Sequence, residues 1–442
     1  MFKRIQLRNF RSFRELDFDM CWKRDSPQRF VSVYGENGSG KTNLVESIAL
    51  LVTSIGTLVP VHPFSLLPRF RRGEVTIDNA IGHSVRRGIR EDTLHLISEY
   101  VSEIRTIGSE DDTVVRYTFE VGGRDAEYEM AFGPDCRLVR ESLRYVLEKR
   151  TVQYFSVSSS EKGIDISINN SVFGNPLVSS LTEEARMLWG NHTLLAILLD
   201  QYRLNNPSFM EDNVGPGMKA VIDYIARIGV HVSSPLSDTT FGLHEGTIPS
   251  SQADWLDGME EALDGFFTRI CSDVSKVHYR RSESIGRIDY ELCFDRIIGG
   301  KVCEIPYGSE SRGTRKLVQL FPQFMAAAYG YVSFVDEMDS NIHDLLVTKL
   351  INGMMPDISG QLVVTTHNTS LLEDADPRSV YILQVDAEGG RSISSMASIE
   401  RIQKTHNKRK RYLDGAVGGV PYIGEIYMSE IAKTYYEGMD AS

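Results

Sequence analysis

The stretch VYGENGSGKT at residues 33–42 constrains this chain more than any other. It satisfies G-x-x-x-x-G-K-[ST] through Gly35, Gly40, Lys41 and Thr42. The preceding RFVSVYG is a short apolar, β-branched run of the kind that makes a buried strand. The following KTNLVESIALLV places Leu44, Ile48 and Leu51 at helical spacing. A strand, a glycine-rich turn and a helix in that order aim the N–H groups of the turn and of the helix start at one point, an anion hole. Lys41 adds a cation for the β and γ phosphates, and the Thr42 hydroxyl is a magnesium ligand. Asn37, Gly38, Ser39 and Asn43 complete the residues expected around Mg-ATP.

The partner elements stand at the far end of the chain. YVSFVDEMDS at residues 331–340 is an apolar strand ending in Asp336 and Glu337. Asp336 there is expected to orient magnesium through water, and Glu337 to polarise an attacking water. Compact GTPases and small-molecule kinases hold these elements much closer together, and the chain has no NKxD-like guanine reader. A large insertion therefore separates two halves of one site. One helix further on, QLVVTTHNTSLL ends a second buried strand at His367, within reach of a γ phosphate. Just before the acidic strand, Ser311, Gly313 and Thr314 open a helix with Leu317, Leu320, Phe324 and Ala328 on one face. Serine at a helix start is an ordinary cap, but Ser311-Arg312-Gly313-Thr314 resembles an ABC signature.

The order LRNFRSF, phosphate loop, long insertion, S-x-G-T, acidic strand, MDSNIH and TTH resembles the ABC-type ATPases of the SMC/RecF class. Within that class the chain is similar to the OLD-like ATPases of bacterial anti-phage abortive-infection systems, such as the PARIS ATPase subunit, which carry a tail like NKRKRYLDGAVGGVPYIGEI. The resemblance covers roughly residues 1–60 and 300–425. It implies an α/β fold: a split ABC-type P-loop ATPase head with an antiparallel β subdomain, plus a helical insertion. It implies that Arg11 approaches the phosphates and that Asp339 lies at a dimer seam. It also implies that Ser311 and Gly313 close on the nucleotide of a second subunit. The implied partners are a homodimer or higher homo-oligomer through the heads, a separately encoded effector of the nuclease kind, and a phage-derived trigger. One departure is the absence of glutamine from VTSIGTLVPVHPFSLLPRFRRG, where a Q-loop is expected.

The expected segments are 1–60 (N-terminal lobe), 61–175 (β-rich), 176–285 (helical insertion) and 286–442 (C-terminal lobe). Residues 95–150 read as antiparallel strands, with Val115, Tyr117, Phe119 and Val121 alternating. Residues 181–277 read as helices, with Trp255, Met259, Leu263, Phe266 and Ile270 on one face: a core stripe, or else a partner's docking surface. Net charge is −12, which argues against a general nucleic-acid coat or a membrane-surface protein. Basic clusters at Arg69, Arg71 and Arg72, at Arg86, Arg87 and Arg90, and at Lys408, Arg409, Lys410 and Arg411 leave direct nucleic-acid contact open. Five scattered cysteines without CxxC, no apolar leader and no long apolar run lead us to expect a cytoplasmic protein with no membrane span. A RecF-like DNA-binding ATPase of repair is the alternative function. A self-contained nuclease is disfavoured, because the stretch after residue 375 is short for a fused TOPRIM domain.

Overall fold

A computed structural model describes residues 1–22, 25–58, 96–161, 163–232, 243–400, 407–421 and 425–440. Its centre is a six-stranded sheet in the order Ile228–His231, Val332–Val335, Gln361–Thr365, Phe30–Gly35, Val380–Val385, Arg391–Ser395. The first five strands run parallel and the last is antiparallel to its neighbour. Val332–Val335, Gln361–Thr365 and Phe30–Gly35 are buried at every position. That is why they read as continuous apolar runs: a parallel sheet is covered on both faces. Alternate residues serve the two covers. Val31, Val33, Phe334 and Val363 pack in the core that includes the helix Lys41–Ile55. Phe30, Val335, Leu362 and Val364 pack against the helices Arg312–Ala328 and Asp344–Met354.

A seven-stranded antiparallel sheet lies beside this layer, in the order Gly163–Ile168, Arg150–Ser160, Leu138–Leu147, Arg124–Phe132, Thr113–Val121, Phe2–Phe10, Phe13–Asp19. The expected alternation is present: Val115, Tyr117, Phe119 and Val121 are buried and the residues between them are half-buried. A third sheet is centred on Arg287–Ile298. Val274–Ser284 pairs along one edge, while Glu245–Pro249 and Lys301–Pro306 share the other.

Three expectations need correction. Residues 97–104 form a helix, because Ile97, Val101 and Ile104 are spaced to share one buried face. The middle is not uniformly helical: after four helices between Asn175 and Ile225, the strand Ile228–His231 joins the central sheet. Glu245–Pro249 and Val274–Ser284 then belong to the third sheet. The segments 1–60 and 61–175 are not separate bodies, since Phe2–Phe10 pairs with Thr113–Val121. The stripe on Ala253–Ile270 is core: Leu263 is fully buried, and Trp255, Met259, Phe266 and Ile270 pack against the second hydrophobic cluster.

One buried carboxylate joins the antiparallel sheet to the helices. Glu141 accepts from the Trp189 indole at 2.9 Å, the Leu194 N–H at 2.7 Å, the Leu195 N–H at 3.4 Å and the Tyr128 hydroxyl at 2.9 Å. Burial pushes its carboxyl up from an ordinary 4.5 to about 7, against those four donors. The folded state thus holds the proton more tightly than the unfolded chain. The resulting stability is full below pH 4.5 and is lost as pH rises through about 7. In Glu141→Gln this part of the pH dependence should vanish. The variant should also lose about 1–3 kcal/mol, because an amide NH₂ turned toward donors leaves them unpaired. Urea unfolding of both proteins at pH 5 and pH 8 checks this; parallel pH profiles would refute it.

Candidate nucleotide site

The phosphate loop runs from the strand Phe30–Gly35 to the helix Lys41–Ile55. Gly40 is its tightest point, with φ +113°. A Cβ there would lie 2.8 Å from Phe13 Cζ, so only glycine lets the turn close against the N-terminal strands. Asn43 Nδ2 donates to Ser12 Oγ at 2.8 Å, tying the helix start to the same turn. Arg391, which no motif singles out, joins them: its Nε donates to Ser39 O at 2.9 Å and its Nη1 donates to Ser12 O at 3.0 Å. The Ser39 hydroxyl is fully buried and has no hydrogen-bond partner among the described residues.

Lys41 is buried, and its ammonium donates to the carbonyls of Gly35 at 2.9 Å and Glu36 at 3.0 Å. Burial lowers its pKa, opposed by Asp336, Glu337, Asp339 and Glu36. Two loop carbonyls are weak company for a buried cation, so the site favours an anion within the loop. The Thr42 hydroxyl donates to Asp336 Oδ2 at 2.9 Å, and Thr365 Oγ1 donates to Asp336 Oδ1 at 2.6 Å. The two expected magnesium-binding residues, Thr42 and Asp336, are thus already neighbours although they come from opposite ends of the chain. A cradle of backbone N–H groups, an ammonium and a hydroxyl–carboxylate pair fit a magnesium-bound nucleoside triphosphate.

Glu337 is exposed and has a left-handed backbone, φ +46°. Its N–H donates to Thr365 Oγ1 at 2.8 Å. That conformation is unfavourable for a side-chain-bearing residue and is held by the strand beside it. It separates the direction of Glu337 from that of buried Asp336, so one acid faces the hydroxyls and the next faces outward. His367 ends the adjacent strand, and its N–H donates to Asp339 Oδ2 at 3.1 Å. Desolvation, and then the Lys41 charge, hold its imidazole below the usual range, against Asp339, Glu337 and Asp336. Lys41, Thr42, Asp336, Glu337, Asp339 and His367 therefore gather around one site.

The remaining expected residues have other immediate partners. Arg11 forms a two-pronged ion pair with Glu46 on the loop helix, at 2.9 and 3.0 Å. Glu46 in turn feels the charge of Asp336, so the pair stands close to the acidic strand end. Ser311 caps the helix Arg312–Ala328, accepting from the Thr314 N–H at 3.1 Å. Gly313 abuts the turn after the acidic strand: a Cβ on it would lie 2.8 Å from Asn341 O. The Ser311–Thr314 helix start and the turn after the acidic strand thus form one surface.

Two further groups escaped the sequence reading. Lys316, one turn into the signature helix, is buried and donates to His231 Nε2 at 2.9 Å. Burial lowers its pKa while Asp336, Glu337 and Asp339 raise it. The His231 carbonyl in turn accepts from the Asp336 N–H at 2.8 Å. The middle of the chain therefore supports the site through His231. The segment lacking a Q-loop glutamine lies largely outside the described residues, as do the arginine clusters at 69–72 and 86–90. In the C-terminal run, Lys408 donates to Ala375 O, Arg409 pairs with Glu373, and Arg411 pairs with Glu400. These three charges are engaged within the chain. Among the described residues no helix is long and apolar enough to cross a membrane.

Residues 4–173 match the family described as AAA domain, which supports an ATPase class. No curated protein matches the chain. Among solved structures, the chain is similar to an SmcHead bound to the C-winged helix domain of ScpA. That match has 14% identity and a TM-score of 0.45, and covers 91% of this chain and 99% of that one. It is also similar to the SMC head domain from Thermotoga maritima, at 15% identity and a TM-score of 0.36, covering 89% and 98%. A third is an Smc head domain with an extended coiled coil bound to the C-terminal domain of ScpA derived from Pyrococcus furiosus, at 12% identity and a TM-score of 0.39, covering 89% and 96%. These overall superpositions are loose, so the functional reading rests on the geometry of the site.

Proposed function

We propose that this chain is a magnesium-dependent ATPase of the ABC/SMC type. Two heads pair on ATP, and the cycle regulates a separately encoded effector, a nuclease, in bacterial anti-phage defence. The observation that carries the ATPase reading is the bond from Thr42 to Asp336. It unites a phosphate loop and an acidic strand from opposite ends of the sequence, with Lys41 beside them. Bound magnesium would neutralise phosphate charge and fix its geometry. Lys41 binds the phosphates, Thr42 and Asp336 hold the metal, and Glu337 takes the proton of the attacking water. His367, with its pKa lowered, is suited to contact the γ phosphate as a neutral imidazole.

Pairing of heads is supported by the surface shared by Ser311, Gly313 and the Asp339 turn, with Ser311 at a helix start suited to a second subunit's phosphate. The regulatory role rests on the sequence resemblance to OLD-like defence ATPases. A head that closes on ATP has two states, and a partner that prefers one of them is controlled by the nucleotide. The purified chain should hydrolyse ATP and cut neither DNA nor RNA, while affinity capture from its native host should bring down an effector that does. Metal-dependent cleavage by the isolated chain, surviving repurification and lost in a site mutant, would overturn the regulatory reading. The RecF-like alternative draws no support from the C-terminal basic run, three of whose charges have partners within the chain.

A further inference from the structure

We propose that the chain carries a second metal site, for a divalent transition ion with zinc preferred, formed by His278, Asp295 and Glu304 on the third sheet. The three residues come from three adjacent strands: Val274–Ser284, Arg287–Ile298 and Lys301–Pro306. Asp295 and Glu304 are direct cross-strand partners. His278 sits two positions along on the other side, opposite Cys293, and so on the same face as Asp295. Its Nε2 lies 3.4 Å from Asp295 Oδ1 and 3.4 Å from Glu304 Oε2. All three ligand atoms fall within 4.8 Å of one another. Zinc bonds of about 2.0–2.2 Å in a tetrahedron give ligand–ligand edges of roughly 3.3–3.6 Å. Two edges of such a site are therefore already in place, on rigid strands.

The neighbours reinforce the reading. Carboxylates set directly opposite each other on paired strands repel; Arg280 on Glu304 and Lys276 opposite Asp295 offset part of that repulsion, and an ion held between the two would relieve it further. Arg280 engages Glu304 through the other oxygen, Oε1, and reaches Glu291 at 3.0 Å. That leaves Oε2 turned to His278 and orients the carboxylate, as outer partners of metal ligands do. The Ser275 hydroxyl donates to Asp295 O at 3.0 Å, fastening the strand pair at the same point. One imidazole and two carboxylates suit zinc or manganese. Calcium requires more oxygens, and magnesium prefers to keep its waters. Glu304 is exposed, so a fourth position is open to water.

The site lies on a different sheet from Lys41, Thr42 and Asp336, but it borders the signature turn. Arg296, next in sequence to Asp295, pairs with Asp273 and Glu310 and donates to Thr314 Oγ1 at 3.0 Å. Glu310 immediately precedes Ser311. An ion pinning the three strands would therefore stiffen the frame that presents the signature.

The test uses the full chain, nucleotide-free and stripped with chelator, then loaded with zinc or, separately, cobalt. We expect one retained equivalent of zinc per chain, a raised melting temperature, and a cobalt spectrum without a thiolate charge-transfer band. His278→Ala and the conservative Glu304→Gln should each weaken zinc at least about tenfold and abolish the thermal shift, with unchanged far-UV circular dichroism. Three results would overturn the proposal: no retained zinc, equal zinc binding by both variants, or a thiolate band placing the ion on cysteines. Failure to bind zinc would mean that His278 merely bridges two carboxylates, and would leave the ATPase reading untouched.

Discussion

Glu337→Gln should slow ATP turnover by about 10²–10⁴-fold, the usual range for loss of a general base, while Mg-ATP affinity stays close to that of the wild type. The backbone explains why the two effects separate. Glu337 is held in a left-handed conformation with its N–H on Thr365, and the neighbouring Asp336 is gripped by Thr42 and Thr365. Glutamine has the same shape and leaves those bonds intact, so the metal-holding pair remains in place. What is lost is an outward-facing carboxylate able to take a proton from water. With hydrolysis slowed, the ATP-bound state accumulates, so paired heads should become visible on size-exclusion chromatography with Mg-ATP. Phosphate release and nucleotide titration measure the two quantities independently. Near-normal turnover would remove Glu337 from its role and point to His367, the other polar side chain at the end of an adjacent strand. Normal turnover loss without pairing would instead remove the composite site.

The parts of this site that were legible in the sequence are those whose meaning is local. A strand, glycine turn and helix occupy neighbouring residues, and their chemistry follows from the backbone they force. Asp336, Glu337 and His367 were legible because parallel strands announce themselves as apolar runs, and the residues just past their ends have little else to do. The pairing that brings those ends to Thr42 was not legible, since strand order is settled by packing across the whole chain. The same holds for Arg391, whose value lies in reaching Ser12 and Ser39 from the far edge of the sheet. Ile228–His231 was missed because four residues within a mostly helical stretch carry too short a period to declare a strand. Lys316 is hidden for the same reason: nothing local marks a lysine on an amphipathic helix as one whose amine is buried against His231. By contrast, the helix Ile97–Ile104 was available in the sequence: ISEYVSEI repeats its apolar residues with helical spacing. The Arg11–Glu46 pair was not legible either, because a motif position does not say which acid a side chain will meet.

Lys41→Ala should abolish measurable ATP binding at ordinary concentrations and, with it, turnover and biological function. Truncating one partner of a buried charge pair costs about 2–5 kcal/mol, or roughly 30-fold to several thousand-fold in affinity. The upper part of that range applies here, because the ammonium is buried, and a buried charge is weakly screened. The free protein should respond differently. There the ammonium is desolvated and, among the described residues, has the carbonyls of Gly35 and Glu36 as its hydrogen-bond partners. Removing it leaves two carbonyls short of a donor but also relieves a buried cation, and these changes oppose each other. The melting temperature without nucleotide should therefore stay within a few degrees of the wild type, whereas the rise produced by Mg-ATP in the wild type should disappear. A fluorescent-nucleotide titration and paired thermal melts distinguish the outcomes. Retained wild-type affinity would make the loop a structural turn. A collapse of the nucleotide-free melting temperature would mean that Lys41 serves the fold before it serves a ligand.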